Sequence, residues 1–502
     1  MIPFFKNLPY SKQLFALLTG LFCLRLIYAL LLPLSPQETY YWVYSLHPSL
    51  GYFDHPPLAA YTIFLFSKLF GPTVLAVRLG PLLYSFGLSC LVFLIGRRMF
   101  DEKIGLLSVL LMNCLPTFIV TSLIMTPDCP LVFFWCLCWF LILKAVQEDR
   151  YTWYLWAGIA LGLALTSKYT AVFIPLSMFI FLIISPDHRP HLKRIEPYGS
   201  LLLALLVFSP VLIWNFQHHW ASIAFQSTQR AGEMKAFEWK ELGAFLTSQA
   251  GILTPLVFAG FCWTIGLAVK RFWKDKTWKE TFLLCLALPM VSLFTLVATR
   301  EWVKINWLIP AYPPLLLLMV AYYQNRAFAW KWIYHGYARW TWISVFLFFI
   351  IFHLWPLVPQ IPVAGSADTT TGWPELADRL GKMQKESKDA PLPFIFSWGH
   401  KTASELQFYL KDQPETFAQT VLGEKALAYD YWFDPKPLIG RDALFVWSEL
   451  DRFPDENTRL LEKYFNRVEK LEPFTVFRGK RPLRIFRIFR CYGYRGYDFI
   501  QP

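Results

Sequence analysis

Glu38 and Asp54 lie in one polar, aromatic-rich stretch, Ser35–Leu58 (SPQETYYWVYSLHPSLGYFDHPPL), directly after an apolar run long enough to cross a bilayer. Asp54 is followed by His55-Pro56-Pro57. The prolines fix the backbone there and hold a carboxylate beside an imidazole. A carboxylate in a partly apolar cleft is a stronger base than one in water and suits general-base catalysis. The neighbouring Tyr40, Tyr41, Trp42, Tyr44, Tyr52 and Phe53 fit an interfacial aromatic belt.

Four further loops carry ionisable groups. Asp128 follows Pro127 at the start of an apolar run, where an N-cap carboxylate is expected. Lys168 sits in TSKYT between two short apolar runs. An ammonium at that depth either snorkels to the interface or meets an anion such as a phosphate. Arg230, Arg300 and Lys304 add positive charge suited to a lipid phosphate. Arg25, midway through the first apolar run, needs a buried partner. His47, His55, His218 and His219 invite a metal reading, but nothing beside them has ligand spacing. No tightly bound metal is expected; a weakly bound divalent ion at Asp54 or Glu38 stays open.

These loops need a scaffold, and the composition says which. The chain has 502 residues, 55% hydrophobic and 17% charged, too little charge for a soluble protein of this length. Eleven apolar spans are read, at about 13–34, 72–96, 104–122, 129–144, 151–166, 169–184, 198–215, 244–269, 280–298, 305–323 and 340–358. The first is too long for a signal-peptide core and has no cleavage site after it. The expectation is an α-helical polytopic membrane domain over 1–359 and a small α/β domain over 360–502.

The net charge of +13 belongs to the membrane part: 27 basic and 15 acidic residues lie in 1–359, against 21 and 20 in 360–502. With the N-terminus in the cytoplasm, the cytoplasmic loops hold eighteen Lys and Arg and the opposite face eight. That is the positive-inside pattern, and it accounts for the basic excess without nucleic acid. Eleven spans then place the C-terminal domain outside the cytoplasm. Every chemically rich loop falls on that same face.

Eight of the nine cysteines lie in or beside apolar runs; Cys491 alone lies in the tail, so no disulfide is expected within that domain. The tail reads as helix (GWPELADRLGKMQKE), strand (FIFSW) and a helix opened by a Thr402-x-x-Glu405 capping box. A strand (ALFVW), a third helix (ENTRLLEKYFNRVEKL) and a hairpin turning at Gly479 follow.

SPQETYYW…GYFDHPPL, TPDCPLVFFW, LGLALTSKYTAVFIP, PVLIWNFQHHWASIAFQ…R and VKINWLIPAYPPLLLL occur in this order. The set resembles the bacterial branch of the protein O-mannosyltransferase superfamily, GT-C class glycosyltransferases that include the lipid A aminoarabinose transferases. The resemblance implies a GT-C fold in the inner membrane. It implies transfer of one sugar from a polyprenyl-phosphate donor to a lipid A, glycan or protein acceptor on the non-cytoplasmic face. The family's acidic pair reads Gln37-Glu38 here, and its Glu-Lys-Pro-Pro reads Asp54-His55-Pro56-Pro57. The resemblance therefore gives the base role to Glu38 or Asp54. It matches Lys168 to the lysine of Ser-Lys-Tyr and, joined to the charge reading above, leads to the expectation of substrate binding at His55, Asp128, Lys168, Arg230, Arg300 and Lys304. Partners besides the donor and acceptor are membrane lipids.

Two other readings stand beside this one. A lipid-linked sugar flippase would place charges on both faces or at mid-membrane, often on repeated halves, and no internal repeat is visible. A non-catalytic descendant would use the groove for binding alone; Gln37 favours it.

Overall fold

Most of the long helices are apolar on every face, as helices embedded in lipid are. The computed structural model describes residues 8–229, 237–275, 277–324, 331–355, 358, 368–386, 391–448, 451, 453 and 459–497. In chain order its helices are α1 (Tyr10–Leu31), α2 (Pro36–Leu46), α3 (Leu58–Phe70), α4 (Val74–Met99), α5 (Glu102–Cys114), α6 (Pro116–Leu123), α7 (Asp128–Glu148) and α8 (Tyr151–Ser167). Then come α9 (Phe173–Ile184), α10 (Glu196–Gln217), α11 (Ala221–Ala224), α12 (Trp239–Leu253), α13 (Pro255–Asp275), α14 (Trp278–Val297), α15 (Tyr312–Gln324) and α16 (Lys331–Leu354).

The chain forms two compact units. One comprises Met1–Ala29, Ser49–Thr62 and Arg78–Leu354; the other comprises Leu30–Pro48, Ile63–Val77 and Trp355–Pro502. Among the described residues, seven helices are long and apolar enough to cross a membrane: α1, α4, α7, α10, α13, α14 and α16. An eighth arises if α5 and α6 form one span, bent by 75°. The bend has a local cause. Pro116 pushes Leu115 out of the helical region, to φ −77° and ψ 136°. The chain is a multi-span membrane protein.

The span expected over 244–269 is two helices, α12 and α13. Thr254, directly before Pro255, breaks them apart at φ 68°. Proline cannot complete the helix ladder across that point. In the same unit α8 and α10 touch backbone to backbone through small residues. A Cβ on Gly158 would lie 2.4 Å from the Ser200 carbonyl oxygen, and one on Gly162 2.5 Å from Val207 Cβ. This is the small-residue spacing that lets membrane helices approach closely. It fixes the two helix ends that carry Lys168 and Asn215.

Among the described residues Arg25 is held without an acid. Its guanidinium donates to Ser85 Oγ at 2.9 Å and to the Asn113 carbonyl at 3.4 Å.

The second unit holds α17 (Trp373–Glu386), α18 (His400–Tyr409), α19 (Arg459–Tyr464) and six strands. The strands are β1 (Phe394–Ser397), β2 (Thr416–Phe417), β3 (Ala443–Ser448), β4 (Phe465–Lys470), β5 (Phe474–Arg478) and β6 (Arg481–Tyr494). The sheet order is β2-β1-β3-β6-β4, with β5 also on β6. β1 runs parallel to β2 and β3, and β6 antiparallel to β3, β4 and β5. Phe396, Phe445 and Phe489 pack on one face of the sheet; Leu376, Leu406 and Ile488 pack on the other. The unit is a small α/β domain, and its hairpin turns at Gly479 with φ 63°.

Three local expectations are corrected. The third helix stops at Tyr464; Phe465–Lys470 is strand, drawn into register with β6. Thr402 is not a cap. The helix opens at His400, and the Thr402 hydroxyl donates to Asp451 Oδ1 at 2.9 Å. The aromatics of α2 are not an interfacial belt. Trp42 packs edge-on against Phe408 at 5.0 Å, and Tyr40 against His400 at 4.6 Å. Tyr40 Oη also accepts the Ala428 N–H at 3.3 Å. The aromatic helix is thus a core element of the α/β unit.

Candidate functional site

The Asp128 carboxylate and the Lys168 ammonium form a buried ion pair at 2.8 Å. Asp128 is 3% exposed and Lys168 8%. Asn306 Nδ2 donates to the other Asp128 oxygen at 2.6 Å. Asp128 is therefore not an N-cap: it is the first residue of α7, and its side chain turns to partners from two distant loops. Neither does Lys168 snorkel outward. A lone charge at this depth would be costly, and each member removes that cost for the other. Lys168 follows α8 in an extended conformation (φ −161°, ψ 138°), which turns its side chain away from the helix line.

Tyr169 takes the next position, and a second polar group gathers on it. Its hydroxyl bonds Ser222 Oγ at 2.8 Å and accepts from Asn215 Nδ2 at 3.3 Å. Asp54, itself 5% exposed, acts electrostatically on that hydroxyl. The Asp54 backbone carbonyl accepts from the Gln226 side-chain amide. Asn215 is fully committed: Nδ2 also donates to the Val211 carbonyl at 2.9 Å, and Oδ1 accepts the Ile223 N–H at 3.1 Å. It clamps the chain reversal after α10, where His219 and Trp220 take φ 52° and 61°. Gly51 allows the approach of the Asp54 segment, since a Cβ there would lie 3.0 Å from the Trp214 side chain.

The membrane unit thus joins Asp54, Asp128, Lys168, Tyr169, Asn215, Ser222 and Asn306 through the neighbouring residues 168 and 169. Sequence reasoning missed Tyr169, Asn215, Ser222, Gln226 and Asn306. All five lie inside loops it had singled out, as uncharged polar residues.

The other expected residues are placed as follows. Glu38 is fully buried in the α/β unit, where Oε2 accepts the Ser35 N–H at 2.8 Å at the start of α2. His55 is half-buried beside Asp54, and Arg300 and Lys304 are exposed in the loop after α14. Arg230 lies outside the described residues. His218 is engaged with Trp214: its ring stacks on the indole at 4.1 Å, and Nδ1 bonds the Trp214 carbonyl at 2.8 Å. Among the described residues no group of three His, Cys, Asp or Glu is placed to hold a metal ion.

The chemistry of the cluster is that of a buried carboxylate within electrostatic reach of a hydrogen-bonded tyrosine hydroxyl, next to an ion pair with no net charge. The cluster can accept a proton at Asp54 and offers donors at Tyr169, Lys168 and Asn306.

Comparison with known proteins follows the same lines. A family model for dolichyl-phosphate-mannose-protein mannosyltransferase matches residues 54–214, a range that contains Asp54, Asp128, Lys168 and Tyr169. The lipid A galacturonosyltransferase RgtD of Rhizobium johnstonii is 27% identical over 293 residues. That match spans 57% of this chain and 59% of the relative, less than two thirds of its length. Among solved structures, ArnT from Cupriavidus metallidurans in the apo state superposes with a TM-score of 0.64 at 13% identity. It covers 96% of this chain and 98% of that one. ArnT bound to undecaprenyl phosphate gives the same TM-score at 14% identity, covering 94% and 97%. The fold is the GT-C fold, and the resemblance carried by the five ordered motifs is borne out.

Proposed function

We propose that the chain is an integral-membrane glycosyltransferase of the bacterial inner membrane, with a transferase domain over residues 1–359 and an α/β domain over residues 360–502 in the non-cytoplasmic compartment. It moves a single sugar from a polyprenyl-phosphate carrier to a lipid A-type lipid, a glycan or a protein. The observation that carries this reading is the buried Asp54–Tyr169 and Asp128–Lys168–Asn306 cluster, built from loops on one face of apolar helices. A lipid A transferase among its relatives and an undecaprenyl phosphate complex on the same fold support the donor and acceptor classes.

In the reaction the acceptor hydroxyl attacks the anomeric carbon, and the bond from that carbon to the phosphate oxygen breaks. The hydroxyl proton passes to Asp54, and polyprenyl phosphate departs with the bonding electrons. Tyr169, anchored by Asn215 and Ser222, lies within electrostatic reach of Asp54 and gives the base a fixed polar neighbour before the acceptor arrives. We assign stabilisation of the departing phosphate's charge to Lys168, Arg230, Arg300 and Lys304, with His55, on their positive charge and the motif resemblance. Lys168 does so while held by Asp128. We assign Glu38 to the start of α2 and the base role to Asp54. The test replaces each in turn in membranes supplied with a polyprenyl-phosphate sugar. Asp54→Asn abolishes transfer and Glu38→Gln retains more of it; equal transfer by Asp54→Asn and wild type removes the assignment.

A further inference from the structure

The α/β unit has a cavity of about 550 Å³ whose lining, among the described residues, is all its own. That lies within the roughly 300–1,000 Å³ of small-molecule sites. It opens where β1 begins and is bounded by the end of α17, the loop after α18 and the residues leading into β3.

Its lining has a distinct composition. Phe394, Phe417 and Trp432 supply aromatic surface. Around them stand Lys385, Lys411 and Arg441, and also Asp412, Glu415 and Asp434. Among the described residues none of these six is in an ion pair. Lys385, Lys411, Asp412, Glu415 and Asp434 are solvent-exposed and Arg441 is half-buried, so three cations and three carboxylates border an open cavity with no net charge.

Arg441 makes the strongest demand. Its guanidinium lies over the Phe394 ring at 5.9 Å, and Nη2 donates to the Leu392 carbonyl at 3.0 Å. Its Nε is buried and has no acceptor among the described residues. A buried donor left unsatisfied is costly, and an acceptor on a ligand would satisfy it. The cavity wall is also strained. Asp412 and Gln413 are consecutive non-glycine residues at φ 65° and 46°, held there while the Gln413 side chain donates to the Phe408 carbonyl at 3.0 Å. Such backbone persists where the surroundings over-determine it, often at ligand sites.

The lining selects the ligand class. An anion site would carry a surplus of cations or helix N-termini. Here the charges balance, and α17 and α18 present their C-terminal ends, which repel anions. A neutral, hydroxyl-rich ring fits. Its C–H faces lie on aromatics, and its hydroxyls donate to carboxylates and accept from Arg and Lys. We propose that this pocket binds a neutral saccharide, in a subsite belonging wholly to the α/β unit. That the saccharide is part of an acceptor glycan rests on the transferase reading; the pocket itself does not.

The test uses the full chain in phospholipid nanodiscs free of sugar detergents. Neutral di- and trisaccharides are titrated by saturation-transfer NMR against wild type, Arg441→Met, Lys411→Ala and Asp54→Asn. At least one saccharide binds wild type, weakens about tenfold or more in the first two variants, and binds Asp54→Asn unchanged. Retained binding with lost transfer by Asp54→Asn separates this pocket from the membrane chemistry. Absence of any saccharide binding, binding indifferent to both pocket variants, or inorganic phosphate binding in place of sugar each overturns the proposal.

Discussion

Replacing Lys168 by Met removes the ammonium and leaves the Asp128 carboxylate, 3% exposed, with the Asn306 side-chain amide as its remaining hydrogen-bond donor. Breaking a buried pair from one side costs about 3–5 kcal/mol, because the surviving charge stays desolvated. Asp128→Asn should cost a similar amount, for it leaves the ammonium stranded. The double variant removes both charges and keeps the shape, so it should lie well above the sum of the singles. A coupling of roughly 2–3 kcal/mol is expected within the range of contacting residues. The assay is a double-mutant cycle on unfolding of the purified protein in lipid micelles. Transfer activity is read in parallel. If Lys168 also stabilises the leaving phosphate, the double variant regains stability and stays inactive. Single variants that each cost less than about 1 kcal/mol and add without coupling would refute the buried-pair account.

Asn215→Ala removes the donors to Tyr169 and Val211 and leaves the Ile223 N–H without its acceptor. A loss of about 1–3 kcal/mol is expected, with transfer falling further than donor affinity, measured as kcat against KM. In the α/β unit, burial raises the Asp430 carboxyl from 3.8 to about 6. The folded state therefore holds this proton more tightly than the unfolded chain does. The resulting stability is full below pH 4 and is lost as pH rises through 6. Wild type minus Asp430→Asn should fall by roughly 2 kcal/mol between pH 4 and 7, read by thermal unfolding at fixed ionic strength.

Much of this architecture is legible in the sequence because membrane helices announce themselves by composition alone. The runs read at 129–144, 151–166 and 198–215 became α7, α8 and α10 within a few residues. Breaks are harder to read. Thr254-Pro255 and Leu115-Pro116 sit inside unbroken hydrophobicity, and only the residue before each proline reveals them. In the tail, Phe465–Lys470 carries helical spacing, yet pairing with β6 decides its conformation.

The site was legible as a set of loops, not as a set of contacts. Asp128 after a proline at a helix start reads as a cap, and nothing local says that its partner lies forty residues on. Lys168 was read with an anion in view, and the anion it meets is Asp128. Tyr169, Asn215 and Ser222 carry no charge, so no ionisable pattern marks them. The α2 aromatics show the opposite error. Their composition suits a membrane interface, but the exposure of less than 3% of Tyr40, Tyr41, Trp42 and Tyr44 comes from the α/β core they join.

The central claim is sugar transfer from a polyprenyl-phosphate donor, and reconstitution tests it most directly. Purified protein in liposomes receives a polyprenyl-phosphate sugar labelled in the sugar, together with a lipid A-type acceptor. Mass spectrometry then follows both lipids. The account predicts an acceptor heavier by one sugar residue and a matching amount of free polyprenyl phosphate, neither formed by Asp54→Asn. Donor moved across the bilayer intact, with no acceptor product and no phosphate released, would contradict it.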